Sequence, residues 1–264
     1  MAPTARELAR QTIRADILAA ARTRLTDEGP AALSLRAVAR DVGMVSSAVY
    51  RYFPSRDDLL TALLIVDYDE LGAAVEAADA AAGPEPGARW VAACRAIRSW
   101  SVAHPGDFAL LFGSPVPGYA APRETVVPAA RTTLALVRVV ADAVAPGGDV
   151  TSASGADGRP GSPAAPTAAP GVAGPAVADA VTTLRSFGIA LPDEVLVRTL
   201  MAWSTVFGTI SFELFGHFVG SVSDGAAYFD QVVARLAHDL GFAAAFRPGR
   251  PVGPSRCPRL ALGA

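Results

Sequence analysis

Apolar positions recur at helical spacing along most of this chain, and no segment shows the sustained alternation of a strand. Ile13, Ile17, Leu18, Ala21 and Leu25 fall on one stripe, which predicts a first helix ending near Glu28-Gly29-Pro30. Ser34 is placed to cap a short second helix that runs to about Asp41, with Gly43 breaking it. A third short helix is expected over 46–52, stopping before Pro54. Ser55 then caps a long fourth helix whose first turn holds Asp57 and Asp58, where the helix dipole favours acids. Further helices are predicted over 86–103, 106–112, 123–144, 176–187, 192–219 and 224–240. The pattern describes an all-α protein.

Two stretches break the periodicity. Residues 146–175 are Pro, Gly, Ala, Ser and Thr almost throughout, a composition that buries too little apolar surface to offset its ordering entropy. They read as a disordered insertion between two helices, and residues 247–264 read as a disordered tail. The division that follows is an N-terminal helical domain over 1–56, a larger helical domain over 57–246, and the tail.

Composition narrows the classes. The 264 residues are 51% hydrophobic with a mean hydropathy of +0.32, enough to fill a substantial core. No run of about 18 residues is apolar without charges, so no membrane span is expected. Arg6, Glu7, Arg10, Arg14 and Asp16 argue against a signal peptide, and a cytoplasmic location is the expectation. Cys94 and Cys257, far apart, form neither a disulfide framework nor a metal site. Glu213 and His217 lie one helical turn apart but lack a third ligand nearby, so they read as surface hydrogen-bonding groups. No metal or cofactor is expected, and no nucleophile–base–acid constellation marks an enzyme. Residues 1–60 hold nine arginines against seven acids, a net +2, too slight an excess to argue nucleic-acid binding from charge alone.

The chemistry lies in the second and third helices. Val38, Val42 and Val49 supply apolar contacts between them, Ala39 is small where they cross, and Gly43 occupies the turn, where a positive φ is wanted. Tyr52 and Phe53 anchor the third helix on the first and fourth. That leaves Ser46, Ser47 and Arg51 facing outward, beside Val45 and Ala48. Short side chains let a helix sink into the major groove, where hydroxyls act as donor or acceptor at base edges. Tyr50, Tyr52 and Arg56 are placed to reach phosphates on either side, and Ser34 and Arg36 to touch the backbone from the start of the second helix.

The run LSLRAVARDVGMVSSAVYRYFPSRDDLLTALL, with its Y-x-Y-F-P-S-R-x-x-L ending, resembles the DNA-binding domain of the TetR/AcrR family of transcriptional regulators over about residues 12–65. By that resemblance Ser34, Arg36, Ser46, Ser47, Tyr50, Arg51, Tyr52 and Arg56 fall on DNA-contact positions. The family often has Ser or Thr where Val45 stands, and Lys and Gly where Ser46 and Ser47 stand. WSTVFGTISFELFGHF at 203–218, with FALLFGSPVPGYAAP at 108–122, resembles the WHG-type C-terminal domain of some relatives.

The resemblance implies double-stranded DNA with a palindromic operator as partner, a two-fold homodimer built on the last two long helices, and a ligand cavity among the fourth to seventh helices. Trp90, Trp100, Phe108, Phe112, Tyr119, Trp203 and Phe207 either fill a helical core or line that cavity, with Trp100, Phe108, Phe112, Trp203 and Phe207 singled out for it, and its ligand would be small and apolar or aromatic. The function expected is a ligand-responsive repressor. An activator or ligand-independent regulator of the same fold is the alternative, and a small-molecule-binding helical protein with a vestigial N-terminal domain is the rival from another class.

Overall fold

The computed structural model describes residues 4–144, 177–189, 191–244 and 246. The segments expected to be disordered, 146–175 and 247–264, lie outside the described residues. Among the described residues the chain forms ten α-helices and no strand: α1 Ala5–Glu28, α2 Leu35–Asp41, α3 Ser46–Val49, α4 Arg56–Ala81, α5 Pro86–Ala103, α6 Pro105–Phe112, α7 Val126–Val144, α8 Ala178–Ser186, α9 Asp193–Leu214 and α10 Gly225–Asp239. A short 3-10 turn, Arg123–Thr125, leads into α7.

Local chemistry explains where most helices begin. Thr4 and Glu7 form a reciprocal capping box that starts α1. The Asp58 N–H donates to Ser55 Oγ at 3.1 Å, so Ser55 caps α4 as its sequence position predicts. Ser34 stands at the N-cap of α2 but makes no capping hydrogen bond, which leaves its hydroxyl uncommitted to the helix.

Two ends differ from the sequence pattern. The third helix is a single turn, Ser46–Val49, continued by tight turns to Phe53. α9 stops at Leu214, short of the expected residue 219. There Gly216 takes φ 78°, the Gly216 N–H donates to Glu213 O and the His217 N–H to Phe212 O at 2.9 Å. That pair of bonds is a Schellman closure, and the apolar run through Phe218 and Val219 cannot override it.

The helices enclose two main cores. The N-terminal one joins Ile17, Ala21 and Leu25 of α1, Val38 and Ala39 of α2, Val49, Phe53, and Leu59, Leu60 and Leu63 of α4. The first turns of α4 therefore complete the N-terminal head. The second core fills the body with Leu71, Trp90, Ile97, Phe108, Val139, Val206, Ile210, Phe229 and Val233. α5 ties it together: Trp90 Nε1 donates to Val233 O at 3.1 Å, Arg95 makes a bidentate pair with Asp230, and Arg98 pairs with Glu213. Val177, Leu184 and Leu196 pack with Leu134 and Val137 in a smaller third cluster under α8.

α9 is long and apolar enough to cross a membrane. Its Leu196, Ala202, Val206, Phe207 and Ile210 are nevertheless buried in the helical cores, the condition of a packed core helix.

Candidate nucleic-acid interface

α2 ends in a Schellman closure of its own: Gly43 has φ 66°, its N–H donates to Arg40 O, and the Met44 N–H donates to Ala39 O at 2.9 Å. A side chain at this φ is strained, so the sharp turn that aims α3 depends on glycine. Val49 and Phe53 are then fully buried and pin α3 against the head. Val45 takes the N-cap position, extended at φ −68°, and offers no side-chain cap. This is the structural consequence of an apolar residue there, and it leaves Val45 71% exposed beside the reading turn.

The outward face carries most of the residues expected on it. Ser47, Tyr50, Arg51 and Arg36 are exposed, and Ser34, Ser46, Ala48 and Tyr52 are half-buried. Tyr52 leans on the head core and shows one face of its ring to α1. There the structure adds two residues that sequence reasoning missed. Arg10 lies 5.6 Å from the Tyr52 ring centroid and Arg14 lies 4.4 Å from that of Phe53, both exposed beside the α3 turn. Their signal was available: they sit four apart on the polar face of α1, a spacing that stacks two side chains.

Arg56 behaves differently. Its Nε donates to Leu33 O at 2.9 Å and its Nη2 to Pro30 O and Ala31 O at 3.0 Å each. The guanidinium closes the α1–α2 connection by bonding three of its backbone carbonyls. Its Y-x-Y-F-P-S-R position remains a matter of sequence, but Nε and Nη2 are committed inside the protein.

Four of the five aromatics singled out for a cavity pack against each other, and the fifth, Trp100, packs in the same core. Phe108 and Phe112 lie 5.2 Å apart between centroids, Phe112 and Phe207 4.4 Å, and Trp203 and Phe207 5.5 Å. Trp100 stacks on His104 at 4.9 Å. Phe108 is fully buried, and Trp100 and Phe207 nearly so. An open cavity of about 610 Å³ lies on the other side of α6, walled by Leu64 and Tyr68 of α4, Leu110 and Leu111 of α6, the 113–121 loop, α7 and the end of α8. None of the five lines it. Spacing could not make this distinction, because α6 presents aromatic and aliphatic residues on opposite sides.

The cavity wall and the head share residues. Leu64, Leu110 and Val116 belong to the N-terminal core, with Tyr68, Leu111 and Tyr119 packed against it. A second joint lies at the α1–α6 contact. Arg22 of α1 meets Asp67 and Glu70 of α4, the latter at 2.8 Å, and Asp107 of α6 at 3.6 Å. Burial, and after it the facing Asp107, raise the Asp67 carboxyl to about 7 against the pull of Arg22. Burial also raises Asp107. Cys94 is fully buried and its thiol is pushed far up by that burial, the state of a core residue rather than a redox sensor.

Residues 17–63 match the description "Bacterial regulatory proteins, tetR family", and residues 90–236 match "Tetracyclin repressor-like, C-terminal domain". The chain belongs to the TetR family. It is 40% identical over 230 residues to the HTH-type transcriptional regulator Rv1816 of Mycobacterium tuberculosis, covering 84% of this chain and 89% of that protein. It is 44% identical over 82 residues to the HTH-type transcriptional repressor LfrR of Mycolicibacterium smegmatis, a match to 31% of this chain and 42% of that one. The crystal structure of the regulatory protein SCO4313 superposes with a TM-score of 0.67 at 31% identity, covering 90% of this chain and all of that one. As a TetR-family member it is a DNA-binding transcriptional regulator, and α3 is the helix that its helix-turn-helix presents. The relatives are named as regulators, not enzymes. Among the described residues no group of three potential ligands is placed to hold a metal ion.

Proposed function

We propose that this TetR-family chain is a homodimeric, ligand-responsive repressor of a palindromic operator. The observation that carries the reading is the outward face of α3. Two serines, an alanine and an exposed valine form a low surface flanked by Tyr50, Arg51, Arg36 and the α1 arginines. Ser46 and Ser47, with Val45 beside them, meet base edges; a valine methyl suits a thymine methyl and a hydroxyl takes either role. Ser34, Arg36, Tyr50, Arg51 and Tyr52, joined by Arg10 and Arg14, hold phosphates. Arg56 keeps its internal role and is left out of the phosphate set.

Dimerisation is supported by the face of α9 that the body does not cover. Met201 and Phe212 are 58% and 52% exposed, Ser204 and Thr205 lie between them, and a Cβ added at Gly208 meets nothing within 4 Å. A strip of small residues between two exposed apolar side chains suits a helix pairing with its own copy about a two-fold axis. Such a dimer presents two α3 helices to two half-sites. The name of LfrR favours repression over activation. The cavity is where an effector acts: it shifts the dimer from operator only if it binds the non-operator state better, since equal affinity shifts nothing.

Selection of binding sites from random DNA with the purified protein tests the reading, and an inverted repeat with a fixed half-site spacing is expected. Ser46→Ala and Ser47→Ala change the selected bases, whereas Arg51→Ala weakens binding to all sequences and lowers the salt slope by about one. Selection of a single, asymmetric or random site refutes the proposal.

A further inference from the structure

The cavity beside α6 has a chemistry of its own. About 610 Å³ lies within the size range of small-molecule sites. Among the described residues its walls are largely Leu, Val, Ala and Pro with two tyrosines and a phenylalanine, and no Arg, Lys, His, Asp or Glu of these residues lines it. Polar character comes from hydroxyls, chiefly Tyr68, Tyr119, Ser114 and Thr133. Tyr68 donates to Leu111 O at 3.4 Å, a long bond that commits its proton to the wall. Tyr119 Oη sits 2.9 Å from Thr61 Oγ1. Two hydroxyls joined by one hydrogen bond keep one further O–H between them, so this pair still holds a donor.

The charges that reach Tyr119 are Asp57 and Glu124, both exposed at the rim. With burial as the larger cause, they raise the phenol above its ordinary value, so it stays a neutral donor. Among the described residues an anion entering here meets no lining cation and a weakly negative rim, and a cation meets no lining carboxylate. Either charge is desolvated without a partner, which costs several-fold more than burying a neutral group.

We propose that this cleft takes an uncharged, largely apolar molecule carrying one hydrogen-bond-accepting oxygen, held at the Tyr119 hydroxyl that Thr61 backs from α4, with Tyr119 as the residue that selects for that oxygen. The proposal rests on the reading of the chain as a ligand-responsive regulator and supplies the chemical class of the effector. Its link to DNA is the shared wall. Thr61 stands in the second turn of α4, where Leu59, Leu60 and Leu63 complete the head core, and Leu110 and Val116 face both cavity and head. A ligand oxygen that draws the free hydroxyl proton of the pair therefore acts on the segment joining the 113–121 loop to the head.

The test uses the full-length protein and four probes that share one ring system: naphthol, naphthalene, naphthoate and naphthylmethylammonium. Calorimetric or fluorescence titration is expected to show naphthol binding about tenfold more tightly than naphthalene, the worth of roughly one hydrogen bond. Both ions are expected to bind at least about tenfold more weakly than naphthol. Tyr119→Phe brings naphthol down to the naphthalene level and leaves naphthalene unchanged. Ala129→Trp, which fills the cavity from α7, abolishes binding of all four in a chain whose circular dichroism is still helical. Naphthoate or the ammonium binding as tightly as naphthol overturns the proposal, as does an unchanged naphthol affinity in Tyr119→Phe, or no binding by any probe. The regulatory reading is judged separately by operator release. Selective naphthol binding that frees no DNA sinks the reading and leaves the cavity chemistry standing; release by a charged probe does the reverse.

Discussion

Asp67 makes a pH dependence of unusual sign. It is fully buried on α4, faces Asp107, and shares the single guanidinium of Arg22 with Asp107 and Glu70. Its carboxyl rises from 3.8 to about 7, first through burial and then through Asp107. The folded value lies above the unfolded one, so between about pH 4 and 7 the native state binds this proton more tightly than the unfolded chain does. Stability therefore falls as pH rises through that window, the reverse of a salt-bridged surface carboxylate. Linkage over a shift of this size amounts to a loss of roughly 2 kcal/mol between about pH 5 and 7. Asp107 moves in the same direction and adds to it. Asp67→Asn keeps the shape, removes the proton, and is expected to flatten the slope by about that 2 kcal/mol, leaving the part due to Asp107. Urea denaturation of both proteins at fixed concentration and ionic strength, at intervals from about pH 5 to 7.5, measures the difference. A wild-type stability that is flat or rises over this range, or a variant with the wild-type slope, refutes the reasoning.

Three other substitutions separate the joints of the molecule. Gly106→Ala at the start of α6 puts a Cβ 2.5 Å from Thr26 N and 2.7 Å from Leu25 C. Neither backbone atom can swing away, so the α1–α6 contact opens at a cost of about 1–3 kcal/mol; thermal melting should fall by several degrees and operator affinity with it, and an unchanged melt would show that the contact yields freely. Arg56→Ala removes the side-chain hydrogen bonds to the carbonyls of Leu33, Pro30 and Ala31 and is expected to cost about 1–3 kcal/mol of stability. A phosphate contact at Arg56 would instead lower DNA affinity with no change in the denaturation midpoint. Gly208→Trp, added where the α9 face is open, should convert a dimer to monomer in sedimentation at micromolar concentration with the helical content kept; a dimer that persists rules out this face as the interface.

Much of the fold was legible along the chain because its signals are local. Ser55 and Gly43 act through bonds to residues within five positions, and the α1 stripe reports its buried face by period alone. The α9 end was misread because Phe215, Phe218 and Val219 continue the apolar pattern, whereas Gly216 stops the helix through a positive φ that periodicity does not register. For the DNA face, the short outward residues of α3 could be named from the turn and the spacing, and the resemblance named the same positions. Arg10 and Arg14 were missed because their nearness to Tyr52 and Phe53 spans about forty residues of chain.

The sequence by itself determined the all-α class, the helix-turn-helix and the family, since each rests on spacing of a few residues and on backbone chemistry. Only the tertiary structure decided which side of α6 holds a cavity and which is filled, and where Arg56 places its donors. It alone brought Asp67 and Asp107 to face one arginine. Those outcomes depend on how helices distant in sequence cross and share side-chain volume, and the period of a single helix carries no record of its partner.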